Sequence, residues 1–177
     1  MNKLLSESRI VYIHYVSDHF LPEMFIPIRN GDWRPKPADN TGLWASRDGD
    51  EWGWESWCRN NHFQLHALKH FFRFKLAEGS NIITLTDPEQ LISLPKVHPC
   101  APKDYSWMDT VEPGKTPSIE QLESFYAPNW CYLDYEKLSA DGVDAIELRN
   151  SGAFRDCLDT WDCDCIVVMN PDVIEEV

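Results

Sequence analysis

The run Cys165-Ile166-Val167-Val168-Met169 constrains the fold of this chain more than any other stretch. It is apolar, rich in β-branched residues and too short for a typical helix, so it reads as a buried strand within a last long strand spanning residues 163 to 170. Just ahead of it stand Asp162 and Asp164, two residues apart. A strand has a side-chain period of two, so both carboxylates are expected to project to the same side of its mouth, where a cleft could use them. The plainer reading is a strand boundary with solvated acids.

The rest of the chain supplies short strands and short helices in irregular order. Arg9 to Val16 is β-branched and aromatic and reads as the first strand, with His14 at its far end. Four prolines and the Asn30-Gly31 pair make residues 18 to 41 a loop. Gly42-Leu43-Trp44-Ala45-Ser46 is a second short strand, and Glu51 to Cys58 a short helix. Lys69 to Leu76 alternates as a half-buried strand does, and Asn81 to Leu85 is the next strand. Asp87, Pro88 and Gln90 form the start signal of a helix whose Leu91, Ile92 and Leu94 should pack inward. Residues 95 to 117 are a proline-rich surface excursion, followed by a capped helix from Ser118 to Tyr126 and a helical turn or two from Asp134 to Ala140. Val143 to Leu148 is the strand before the last. Strands not in regular βαβ alternation predict an α+β fold in a single domain over residues 1–177. No glycine-rich nucleotide-binding fingerprint of either common type occurs.

A hydrophobic content of 43%, with 12% aromatic residues, argues against disorder. The 16 basic and 29 acidic side chains give a formal net charge of -13, which disfavours non-specific binding to duplex nucleic acid or anionic membranes. A local basic patch beside a groove is compatible with that total. The first nine residues lack the apolar core of a signal peptide, and no stretch approaches the length of a membrane span, so a cytoplasmic protein is expected, or one in the host cytoplasm if phage-encoded. Six cysteines would then be mostly reduced. His98, Cys100, Cys157, Cys163 and Cys165 lack the paired spacing of a zinc site, and no metal is expected. His62, His66 and His70 recur every four residues but lack a metalloprotease-type acid, and read as a surface stripe.

Three pieces could converge: His14 at the end of the first strand, Trp44 in the second, and the acids before the last. In this order the sequence resembles the ADP-ribosyltransferase superfamily. Tyr12-Ile13-His14-Tyr15-Val16-Ser17 is similar to the His-bearing strand of its His-Tyr-Glu branch. Gly42-Leu43-Trp44-Ala45-Ser46 is similar to that branch's Gly-Ile-Tyr-Phe-Ala element, with Trp44 in the Tyr position. Asp164-Cys165-Ile166-Val167-Val168 resembles its Glu-Tyr-Ile-Val-Tyr strand. Lys36-Pro37, the tryptophans Trp54 and Trp57, and Trp161-Asp162 also resemble small bacterial and phage proteins of this fold.

The resemblance implies a split, mostly antiparallel β-sheet core with short peripheral helices, around a cleft for NAD as substrate. Cleaving the bond from ribose to nicotinamide passes through an oxocarbenium-like state, which a nearby carboxylate stabilises. The resemblance gives that role to Asp164, with Asp162 holding the acceptor nucleophile. His14 and, more weakly, Ser17 would hold a ribose hydroxyl or phosphate, Trp44 would stack on the nicotinamide ring, and Ser46 and Arg47 would contact phosphate or substrate. The family catalyst is Glu, and Asp is one methylene shorter, a misplacement of about 1 Å that costs on the order of 100-fold in rate. Trp52, Trp54 and Trp57 read as an aromatic wall of the groove or as core. The implied activity is mono-ADP-ribosylation of a macromolecule, protein or single-stranded nucleic acid, by a toxin, phage modifier or defence component. Two alternatives stay open: NAD hydrolysis without an acceptor, and an inactive member serving as an acidic binding or inhibitor protein.

Overall fold

The computed structural model describes residues 10–31, 34–97 and 130–177. Seven strands form one sheet: β1 (Tyr12–Tyr15), β2 (Leu43–Arg47), β3 (Phe71–Leu76), β4 (Ile82–Leu85), β5 (Ala145–Leu148), β6 (Cys165–Val168) and β7 (Ile174–Glu176). Their order is β4-β5-β6-β2-β1-β3-β7. Every neighbouring pair is antiparallel except β4 and β5. A parallel pair needs a long crossover, and the chain between Leu85 and Ala145 supplies it. Among the described residues the α-helices are α1 (Trp54–Asn61), α2 (Tyr135–Ala140) and α3 (Ser151–Phe154). The α+β class read from the sequence therefore holds, as a mostly antiparallel open sheet with few helices. No helix among the described residues is long and apolar enough to cross a membrane.

All four residues of β6 are buried, as its unbroken apolar sequence requires of a central strand. Trp44, Val167 and Ile146 stand in register across β2, β6 and β5. That face packs against Leu133, Tyr135, Leu138, Phe154, Leu158 and Trp161. The opposite face joins Ala45, Ile166 and Val168 to Tyr12, Phe72, Phe74 and Val173. Within this second layer Glu147 is buried and receives both nitrogens of the Arg47 fork, at 2.7 and 2.8 Å, and the Tyr12 hydroxyl at 3.3 Å.

Local expectations are corrected in three places. The Asp87 start signal works as read, with Asp87 accepting from the Glu89 amide and Gln90 closing the capping box, but Pro88–Ser93 is a 3-10 helix. With three residues per turn, Leu91 falls in line with Leu94 and is buried, while Ile92 turns outward at 78% exposure. The strand expected over 163–170 is shorter, β6 alone over Cys165–Val168, and a further strand not expected from the sequence, β7, follows a 3-10 turn at Pro171–Val173 on the sheet edge. Asp162, Cys163 and Asp164 precede β6, with a bend at Cys163 and Asp164, so the two-residue period does not reach back to them. Their carboxylates consequently part company. The helix from Ser118 to Tyr126 and most of the excursion from 95 to 117 lie outside the described residues.

Candidate functional site

The ladder between β1 and β2 is registered over only two pairs, Tyr12 with Arg47 and Ile13 with Ser46. Beyond them the backbone link gives way to a side chain: His14 Nδ1 lies 2.6 Å from the Trp44 carbonyl oxygen. A cleft of about 590 Å³ lies at this place, within the usual range of small-molecule sites. His14, Trp44, Lys36, Asp39, Thr160 and Asp162 are among its lining residues, with Trp54 and Phe63 adding aromatic wall.

A carbonyl only accepts, so the Nδ1 of His14 carries the proton of this hydrogen bond. Burial lowers the pKa of His14 below its ordinary value, and the bond to Trp44 offsets this in part. The neutral ring therefore keeps Nε2 as a bare acceptor. The Trp44 indole is held edge-on by Trp161, with ring centroids 4.8 Å apart. Asp162 is exposed at the cleft, yet its pKa is raised, first by partial desolvation and then by Asp159, with Arg34 and Lys36 pulling the other way. Lys36 is itself held by Asp39 at 2.5 Å. The cleft thus joins aromatic surface, a neutral acceptor, a proton-seeking carboxylate and one lysine.

Its backbone is strained. Six non-glycine residues have positive φ among those described, and four of them, Val16, Asn40, Gln64 and Thr160, line the cleft. Val16 and Thr160 are β-branched, for which this region is least tolerated. The Thr160 hydroxyl is also buried without a hydrogen-bond partner. Strain of this kind persists where surrounding structure enforces it and gathers at binding sites.

The site residues named from sequence are not all brought together. His14, Trp44 and Asp162 line the cleft. Asp164 does not: its carboxylate accepts from the backbone amides of Asn150 at 3.0 Å and Ser151 at 2.7 Å, at the start of α3, and only 4% of the residue is exposed. Its backbone is also tied down, the N–H donating to Trp52 O and the carbonyl accepting from Ser46 Oγ. Ser46 and Arg47 instead border a second cavity of about 100 Å³ beside the N-terminus of α1. Ser46 Oγ there receives the Trp54 amide, and Arg47 is committed to Glu147. Ser17 donates to the carbonyl of His19 and stands outside the cleft.

Trp54 and Trp57 stack at 5.2 Å and pack on the core, Trp54 also lining the cleft, while Trp52 is exposed. His62 ends α1 in the left-handed conformation, His66 precedes the turn Ala67–Lys69, and His70 pairs with Asp18. The three histidines are exposed and do not share a helix. Among the described residues no group of three potential ligands is arranged to hold a metal, and His98 and Cys100 lie outside them. Cys163 and Cys165 line the cleft, but the hydrogen bond between them and burial hold the Cys165 thiol well above its ordinary pKa, making it a poor nucleophile.

Lys36, Phe63, Gln64 and Thr160 went unassigned as site residues in the sequence. Lys36-Pro37 ahead of Gly42 was the available signal for the first; Thr160 offers none, because its place follows from a turn. Compared with models of known families, with curated proteins and with solved structures, the chain has no match.

Proposed function

We propose that the chain binds NAD in the cleft between β1 and β2 and is a mono-ADP-ribosyltransferase whose working carboxylate is Asp162. One observation carries this reading: His14, Trp44 and Asp162, from three separate segments, converge on a single cleft. Support also comes from the sheet, where the His-bearing, Trp-bearing and acid-preceded strands are the consecutive neighbours β1, β2 and β6.

In this reading the nicotinamide ring lies against Trp44, and a ribose hydroxyl donates to His14 Nε2. The bond between ribose C1 and the pyridinium nitrogen breaks with its electron pair staying on nitrogen, so neutral nicotinamide leaves. The acceptor's lone pair forms the new bond to C1, and its proton passes to Asp162. A carboxylate with a raised pKa is a better base for that transfer and, while ionised, stabilises the positive ribose. With water as acceptor the same steps give NAD hydrolysis.

A second reading has a specific observation behind it. The Asp164 carboxylate is engaged by two backbone amides, and a chain that has turned this acid to structural use fits a protein that binds without turnover.

Nicotinamide release and NAD-induced quenching of tryptophan fluorescence separate the readings. Asp162→Asn should abolish release while keeping the quenching. Asp164→Ala, which strands two amides, should cost about 1–3 kcal/mol of stability, read as a lowered melting temperature. Binding without release by the unaltered protein favours the second reading; neither binding nor release rejects both.

A further inference from the structure

The 22 residues from Ser56 to Ala77 contain no Asp or Glu, in a chain that has 29 of them. The same segment holds four of the 16 Lys and Arg residues and three of the six His. Part of it borders the cleft: Phe63 and Gln64 line it, and the Val16 amide at the cleft's edge is bonded to the His70 carbonyl. Residues 59–66 and 69–71 are all exposed. Arg59, Arg73 and His70 are partnered by Glu55, Asp48 and Asp18. Lys69, His62 and His66 have no side-chain partner among the described residues and face solvent. Aromatic rings alternate with these groups, Phe63 and Phe71 being 41% and 38% exposed, and the Arg73 guanidinium lies 4.8 Å over the Phe71 ring.

Basic groups and rings in alternation, set against an acidic remainder, suit a polyanion whose units each carry a flat π face. An acidic peptide would use the charges and leave the rings idle; a duplex would conceal its bases and meet the repulsion of the remaining surface. We infer that the exposed part of this segment docks single-stranded nucleic acid as the acceptor, its phosphates along His62, His66 and Lys69 and one base entering the cleft past Phe63. The role as acceptor rests on the transferase reading of the cleft; the docking itself does not.

The test measures binding of the full chain, without NAD, to labelled twelve-nucleotide single strands of DNA and RNA, to a duplex of the same sequence and to a glutamate-rich peptide. Single strands should bind, and the duplex and the peptide at least tenfold more weakly. With about two phosphates neutralised, affinity should fall roughly sevenfold between 50 and 200 mM salt, and only about threefold for Lys69→Ala, which removes one of those contacts. Lys137→Ala, on α2 and paired with Asp141, should bind as the unaltered chain does. Absence of single-strand binding at 50 mM salt, an unchanged salt response in Lys69→Ala, or equal binding of the acidic peptide overturns the inference. Strand binding by a protein that releases no nicotinamide upholds the docking surface and rejects the transferase reading. Nicotinamide release without strand binding does the reverse and leaves a protein acceptor.

Discussion

At the scale of single residues, position relative to the sheet decides what each polar group can do. His14 stands where the β1–β2 ladder stops, and its ring replaces the missing backbone link. Burial lowers its pKa in the folded chain, so the fold binds fewer protons at this site than the unfolded chain does. Stability from this site is therefore fully present above the unfolded value of 6.5 and is lost as pH falls through the lower folded value. His14→Asn keeps a donor toward Trp44 but cannot titrate. Thermal melts between pH 7 and pH 5 should show the unaltered protein losing stability relative to this variant as pH falls, at up to about 1.4 kcal/mol per pH unit. A gap that stays constant, or widens in the other direction, would show that His14 is not held neutral. The same protonation would remove the bare Nε2 acceptor, so if the cleft takes NAD as proposed, its binding should weaken across that window.

At the scale of elements, the cleft depends on how closely β2 approaches β6. Gly42 begins that approach with a φ of +65°, its amide donating to the Ile26 carbonyl. An added Cβ would sit 2.9 Å from both the Ile28 Cδ1 and Val167 Cγ2 atoms and 3.0 Å from the Val168 carbonyl oxygen. Gly42→Ala should therefore cost about 2–4 kcal/mol, combining left-handed strain with overpacking, and it should widen the cleft wall that bears Trp44. Denaturant unfolding checks the first effect and Trp44-dependent quenching by NAD the second. Which elements were legible follows the same physics. β6 could be read because a central strand needs an unbroken apolar run, and the Asp87–Gln90 cap because its chemistry is local. β7 could not, because Glu175 and Glu176 are the polar residues that an edge strand tolerates. His14 and Trp44 could be placed on neighbouring segments because each sits on a short, definite strand, and both line the cleft. The difference between Asp162 and Asp164 was hidden, because a bend before β6 breaks the period used to orient them.

At the scale of the molecule, a formal charge of -13 is carried with its strongest ion pairs turned inward. The Glu147 and Asp50 carboxylates are almost wholly covered, and Arg47 and Arg149 bond to them from the partly exposed side. The pairs left on the surface, such as Lys137 with Asp141, contribute little, because solvent screens them and ordering two long side chains opposes them. Added salt should therefore act mainly on the unbalanced repulsion among the remaining acids, while the buried pairs, shielded from ions, change less. Raising sodium chloride from 10 to 300 mM should stabilise the fold by about 1 kcal/mol, seen as a melting temperature higher by about 2–4 °C. A melting temperature that falls instead would mean that exposed pairs hold the molecule together. The same screening would weaken any single strand held along the acid-free segment, so salt should tighten the fold and loosen its polyanionic ligand in one titration. Opposite responses of these two quantities would locate the repulsion in the acidic bulk and the attraction in the segment from Ser56 to Ala77.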